Sequence, residues 1–243
     1  MAGLYETIAE SLPQFLAGAW LTVQLTALAM AAGTTLAFPL ALMRLSPRGW
    51  LRAPAYGYVF FFRGTPLLVQ IFLVYYGLAQ FAAVRDSLLW PLLREPYACA
   101  VIAFALNTAA YTAEIIRGGM LSVPRGEREA ARALGFSLWQ ELRLIVLPRA
   151  VRQALPAYGN EVILMLKGSA LASTITLLEL TGVARTLIAR TYLAVEFFAL
   201  AGLVYLLLTL LIVRGVRVLE RRWALPGPPL TAVPATRHGD LLS

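Results

Sequence analysis

Apolar positions along this 243-residue chain gather into long blocks rather than into short alternating runs. Five blocks, roughly 16–42, 66–84, 97–116, 153–173 and 194–213, are almost free of charge. Each is close to the ~20 residues a helix needs to cross a bilayer core. The pattern predicts an all-α, polytopic membrane protein with about five transmembrane helices. The second block begins after a break, FRGTP at 62–66. Thr65 suits a helix cap and Pro66 a first helical position, where a missing amide hydrogen costs nothing. The true second span is therefore expected to start near Pro66.

Composition agrees: 59% of residues are hydrophobic and the mean hydropathy is +0.70. The net charge of +8 comes almost wholly from arginine, with Lys167 the one lysine. In a soluble domain that charge would suggest nucleic acid. Here the arginines alternate with the spans. They crowd 43–53 (Arg44, Arg48, Arg52), the 117–152 loop and the end of the last span (Arg214, Arg217, Arg221, Arg222). The positive-inside rule then puts residues 1–15 outside as a periplasmic N-terminus, and the C-terminus in the cytoplasm. No nucleic acid partner is expected, only membrane lipid. The N-terminal residues lack the basic region and cleavage pattern of a signal peptide. After Trp223 the proline-rich stretch 224–243 reads as a disordered cytoplasmic tail. Cys99, the single cysteine, reads as a small core residue, and His238, the single histidine, sits in the tail, so no metal site is expected.

One cytoplasmic segment is patterned like structure. Ser122-Val123-Pro124 can open a helix over 125–134, with Ala130, Ala131 and Leu134 on one face. Gly135 stands where a helix C′ residue needs a left-handed backbone. Ser137 and Gln140 form a capping box for a second helix carrying Leu138, Leu142 and Ile145, which Pro148 ends or hands to the next span. Arg125 with Glu129, and Glu129 with Arg132, are spaced for weak ion pairs along the first helix. A helical hairpin of this kind is either a solvated surface feature or a plug for a groove on a soluble partner.

The residues Glu129-Ala130-Ala131, Gly135 and Leu147-Pro148 resemble the EAA loop of ATP-binding-cassette (ABC) importer permeases. FRGTPLLVQ at 62–70, LNTAAYTAEI at 106–115, LPAYGNEVILMLK at 155–167 and LERRW at 219–223 are similar to its polar amino acid family, specifically to M-type subunits of histidine, arginine, lysine/ornithine and opine importers. The resemblance covers about 55–223. Where relatives often carry a second hydroxyl after the fourth-span lysine, this chain has Ala170. The resemblance implies a type I (MetI-like) transmembrane domain over 16–223 in a bacterial inner membrane. It implies that the first hairpin helix, through Glu129, Ala130, Ala131, Gly135, Leu147 and Pro148, couples to a cytoplasmic ATPase dimer. A second permease subunit is implied too, a Q-type partner or a second copy, together with a periplasmic substrate-binding protein. This chain has no phosphate-binding Gly-rich loop, so ATP is expected to be used by the partner, with no cofactor held here and no enzyme activity of its own.

Ionisable residues inside spans cost free energy and mark candidate sites. Glu161 falls near the middle of the fourth span, beside Asn160, with Lys167 further along. Asn107, Tyr111 and Glu114 share one stripe of the third span, and Arg63 sits at the break. A basic amino acid needs a carboxylate for its side-chain cation and a cation or helix N-terminus for its own carboxylate. The resemblance implies that the Asn160-Glu161 step is substrate-lining, which makes these two the leading candidates, with Asn107, Thr108 and Tyr111 from the third span behind them. Against this stands pairing for assembly alone, Glu161 with Lys167 and Glu114 with Arg117. The sequence leaves open which amino acid is carried, a polar one such as glutamine included, and whether this subunit holds substrate. A stand-alone carrier would also bury charges, but it often shows internal repeats, which this chain lacks.

Overall fold

The computed structural model describes residues 2–223. The stretch read above as a disordered tail lies outside the described residues. Among them there is no strand. The elements are α1 (Ala2–Leu45), α2 (Gly49–Gly64), α3 (Leu67–Phe72), α4 (Ala82–Arg85), α5 (Trp90–Leu93), α6 (Pro96–Leu121), α7 (Arg125–Ala133), α8 (Leu138–Glu141), α9 (Leu147–Gly168), α10 (Leu180–Thr191) and α11 (Ala194–Trp223). A π-helical stretch, Leu73–Gly77, and a 3-10 turn, Leu78–Gln80, prolong α3. A second π stretch, Leu142–Val146, joins α8 to α9, and a 3-10 segment, Ser169–Ile175, extends α9.

Three helices, α1, α6 and α11, are long and apolar enough to cross a membrane, and the count reaches five if each of two bent pairs is one span. Those pairs are α2 with 67–80, bent by 107°, and 138–175 with α10, bent by 47°. Counted that way, the expected five spans are present, two of them broken. A helix does begin beside Pro66, as expected, but it is not the first of its pair. Helix already runs from Gly49 to Gly64, and Thr65 ends it in extended backbone, the conformation forced on a residue before proline. Pro66 then caps α3 without a side-chain bond. The first helix also exceeds its expected start at residue 16 and continues through Pro13 and Pro39.

The centre of the bundle is α1 against α6, and small residues make it close. Ala29, Gly33, Ala37 and Ala41 repeat every fourth position on α1, and Ala105, Ala109 and Ala113 do so on α6; all are buried. In a membrane, where lipid is as apolar as leucine, such small-residue ridges associate by letting backbones approach. At Gly33 a Cβ would lie 2.7 Å from the Thr108 side chain, so the approach there needs glycine. Around this seam, Leu25, Ile71, Phe104, Met165 and Ile175 form the main apolar core. A second core places Phe15 5.9 Å from the Phe197 ring in a stacked pair, beside Leu180 and Leu187. Helix α11 buries only Phe197 and Ala201.

Candidate functional site

Breaking a helix inside a membrane frees backbone carbonyls that lipid cannot satisfy. Gln70 solves this at the 62–66 break. Its side-chain amide donates to the Phe62 carbonyl at 2.9 Å, the Thr65 carbonyl at 3.1 Å and Thr65 Oγ1 at 2.8 Å. Its Oε1 accepts from Asn107 Nδ2 at 2.9 Å, and that nitrogen also lies 3.3 Å from the Phe62 carbonyl. Asn107, expected to line a substrate path, is thus occupied in holding the break to α6. The sequence reading passed over Gln70, whose only signal was a polar residue within an apolar run.

One turn further along α6, Tyr111 lies beneath the Arg63 guanidinium, 5.2 Å from ring centre to carbon. Arg63 and Glu161 on α9 form no ion pair among the described residues. Glu161 is 5% exposed and takes no hydrogen bond or ion pair among the described residues. The expected alternative, pairing with Lys167, does not form; Lys167 is exposed. Asn160 is exposed as well, facing away from this chain's core, while Glu161 faces in, as neighbours ~100° apart on a helix must.

The remaining candidates separate. Thr108 is fully buried and turned to α1, where it packs on Gly33 and lies 4.0 Å from Met30 Sδ. It does not join Arg63, Tyr111 and Glu161. Glu114 pairs with Arg117 at 2.7 Å, as its spacing allowed, and also accepts from Arg44 Nε at 2.9 Å. Arg44 in turn sits over the Tyr56 ring. This cluster ties α1, α2 and α6 together. Among the described residues no group of three His, Cys, Asp or Glu could hold a metal.

The hairpin forms as its sequence suggested. Gly135 has φ +81°, its N–H donates to the Arg132 carbonyl and the Phe136 N–H to the Ala131 carbonyl, a complete Schellman turn. Both halves of the Ser137–Gln140 capping box are made. Pro148 does not end the second helix. The π stretch just before it passes the chain from α8 into α9 without a break, widening the helix where proline offers no amide.

The ion pairs differ from expectation. Glu129 pairs with neither Arg125 nor Arg132. Instead Glu141, only 2% exposed, accepts from Arg128 Nε at 2.6 Å and from Arg132 Nε at 2.8 Å. Glu127 pairs with Arg149 of α9 at 2.7 Å. No sequence spacing announces these contacts, because the partners meet only after the chain reverses at Gly135. Ala131 is buried, whereas Glu129, Ala130 and Gly135 are exposed. Ala130, Ala131, Leu134 and Pro148 line a groove of about 570 Å³ with Phe136 and Leu144. Leu134 and Trp139 stand 78% and 66% exposed.

Broken apolar helices thus surround buried polar groups and carry a helical hairpin at one end. The chain belongs to the family of binding-protein-dependent transport system inner membrane components, whose family model matches residues 29–225. It is 54% identical over 230 residues to the octopine transport system permease protein OccM of Rhizobium radiobacter, covering 93% of each chain. It is 43% identical over 207 residues to the histidine/lysine/arginine/ornithine transport system permease protein HisM of Salmonella typhimurium (strain LT2), covering 85% of this chain and 88% of that one. The crystal structure of an amino acid ABC transporter with histidines matches with a TM-score of 0.80 at 36% identity, over 88% of this chain and 96% of the other. The fold is therefore that of an ABC importer permease, and the chain is an inner-membrane transport component, not the ATPase. Family membership brings an ATPase and a substrate-binding protein as partners.

Proposed function

We propose that this chain is one of two permease subunits of an ATP-driven importer for basic amino acids or opines, coupled to its ATPase through α7. The observation that carries the substrate side is Glu161: a carboxylate on a residue only 5% exposed, with no hydrogen-bond donor or ion-pair partner among the described residues. Burial of an unpaired charge costs several kcal/mol, and an incoming cation recovers part of that. The solutes named for the similar permeases combine a basic or guanidinium group with at least one carboxylate. Glu161 takes the cationic end, and Arg63, held over Tyr111, takes a carboxylate. Asn160, on the outer side of the same helix turn, faces where a second permease subunit would stand and adds an amide to the shared path. A neutral solute such as glutamine would leave Glu161 uncompensated, so the site favours a cation. At the cytoplasmic end, Glu129, Ala130 and the apolar Leu134 remain uncovered for the ATPase, with Gly135 setting the turn and Leu147-Pro148 closing the hairpin onto α9.

The test is extraction of the tagged chain from its native membrane in mild detergent, followed by reconstitution of what is recovered with the binding protein in liposomes. A cassette ATPase and a second permease chain, a relative or another copy, should accompany it. ATP hydrolysis should rise with arginine, histidine, lysine or octopine and stay flat with glutamine. A chain recovered alone from several detergents, or a glutamine-only response, overturns the reading.

A further inference from the structure

We propose that Glu141 is a positioning residue for energy coupling: it clamps α7 to the α8–α9 column so that a displacement of α7 reaches the membrane without being absorbed by the hairpin. This rests on the reading of α7 as the ATPase-coupling helix.

Helix α7 touches the rest of the chain through few groups. It is nine residues long, and only Ala131 on it is buried. Apolar packing alone holds so short a helix weakly. Three charged contacts add to it, and all cross the hairpin. Arg128 and Arg132, one turn apart, converge on the two carboxylate oxygens of Glu141, the last residue of α8. Glu127, next to Arg128 on the helix, reaches the other way to Arg149 on α9. The helix is thus gripped from two sides by residues of the same continuous column, which runs from Leu138 to Ile175 and carries Glu161.

The grip has a consequence for the free surface. With Arg128 and Arg132 folded onto Glu141, the hairpin tip presents Leu134, Leu138 and Trp139 outward. Those apolar groups suit the seat against a partner groove; the Glu141 side chain is turned inward, while the Arg128 and Arg132 side chains that hold it stay 43% and 54% exposed. Glu141 therefore acts through α7, from the wall of a groove it shares with Arg128 and Leu138. The carboxylate itself, 2% exposed, lies between the two elements that must move together.

The experiment compares the wild-type complex with complexes carrying Glu141→Gln, Arg132→Ala and Glu141→Asp in the permease, reconstituted with binding protein in liposomes. Arginine or octopine, whichever stimulates the wild type, is the probe. ATP hydrolysed per solute imported is measured beside the recovery of ATPase subunit and its half-saturating ATP concentration. Glu141→Gln should raise the ATP cost per solute by roughly twofold or more, with ATPase recovery and ATP affinity unchanged. Arg132→Ala, which leaves Arg128 in place, should give a smaller rise, and Glu141→Asp should restore most of the coupling. Spin labels on Ala133 and Arg143 should report a broader distance distribution in Glu141→Gln than in the wild type. An unchanged ratio in Glu141→Gln, or loss of the ATPase from the complex, overturns the clamp. If even the wild type recovers no ATPase, the failure lies with the assignment of α7 and not with Glu141.

Discussion

A carboxylate inside a spanning helix is retained against its cost only if something compensates it. Glu114 is compensated within the chain, by Arg44 and Arg117. Glu161 is not. Glu161→Gln keeps the shape and removes the charge, so it should raise the solute concentration that half-stimulates ATP hydrolysis about tenfold, the worth of one charge-assisted hydrogen bond. Subunit recovery should be unchanged. Identical stimulation curves for the variant and the wild type would remove Glu161 from the site. Glu141 gives a pH prediction at the same scale. Hydrogen bonds from Arg132 and then Arg128 hold its pKa below the usual glutamate range. A lowered folded pKa means the clamp is fully present above about 4.3, the unfolded value, and is lost as pH falls towards the folded one. The Ala133–Arg143 spin-label distance should therefore hold from pH 7 to 5.5 and broaden only under stronger acid. Broadening near neutrality would contradict the two-arginine grip. At this scale the sequence was partly legible. An acidic residue inside an apolar span, such as Glu161, declares itself. A glutamate in a polar loop, such as Glu141, looks like any solvated charge until the fold reverses the chain.

At the scale of elements, the hairpin shows how far local rules reach. Its turn, cap and glycine are short-range devices, so their residues could be read directly: Gly135 at φ +81°, and Ser137 with Gln140 as a box. Nothing lies within 4 Å of a Cβ built on Gly135, so a substitution there meets backbone strain and no clash. Gly135→Val should cost roughly 1–2 kcal/mol or more and speed amide exchange across 125–141. Gly135→Asn, which tolerates the left-handed region, should cost much less. Equal exchange in both variants would mean that the turn does not depend on that conformation. Local rules reached only part-way at the prolines. Pro66 was read as the start of a span, and Pro148 as either the end of the second hairpin helix or the opening of the next span, where α9 indeed begins. The first lies in the middle of a broken span, where Gln70 and Asn107 satisfy the freed carbonyls, and the second is absorbed by a π stretch. In both places groups distant in sequence decided whether helix continued.

At the scale of the molecule, the chain is a set of spans packed on an α1–α6 seam, with a hairpin fixed to one end of the α8–α9 column. Its mostly uncovered α11 and its unpaired Glu161 both suit a subunit of a larger assembly. Apolar blocks of bilayer length determined from sequence alone that the chain is helical and membrane-embedded, because no other backbone arrangement without strands satisfies itself in lipid. The Gly135 turn and the Ser137–Gln140 cap determined the hairpin, because turns and caps act over a few residues. What each buried polar group does was decided only by tertiary structure. Asn107 and Thr108 sit side by side on α6, yet one braces the break and the other packs on Gly33. Glu114 and Glu161 are both carboxylates in apolar helices, yet only one meets arginines within reach of an ion pair. Sequence lists the groups that must be satisfied; the distances that satisfy them, or leave one waiting for a ligand, exist only once the helices have packed.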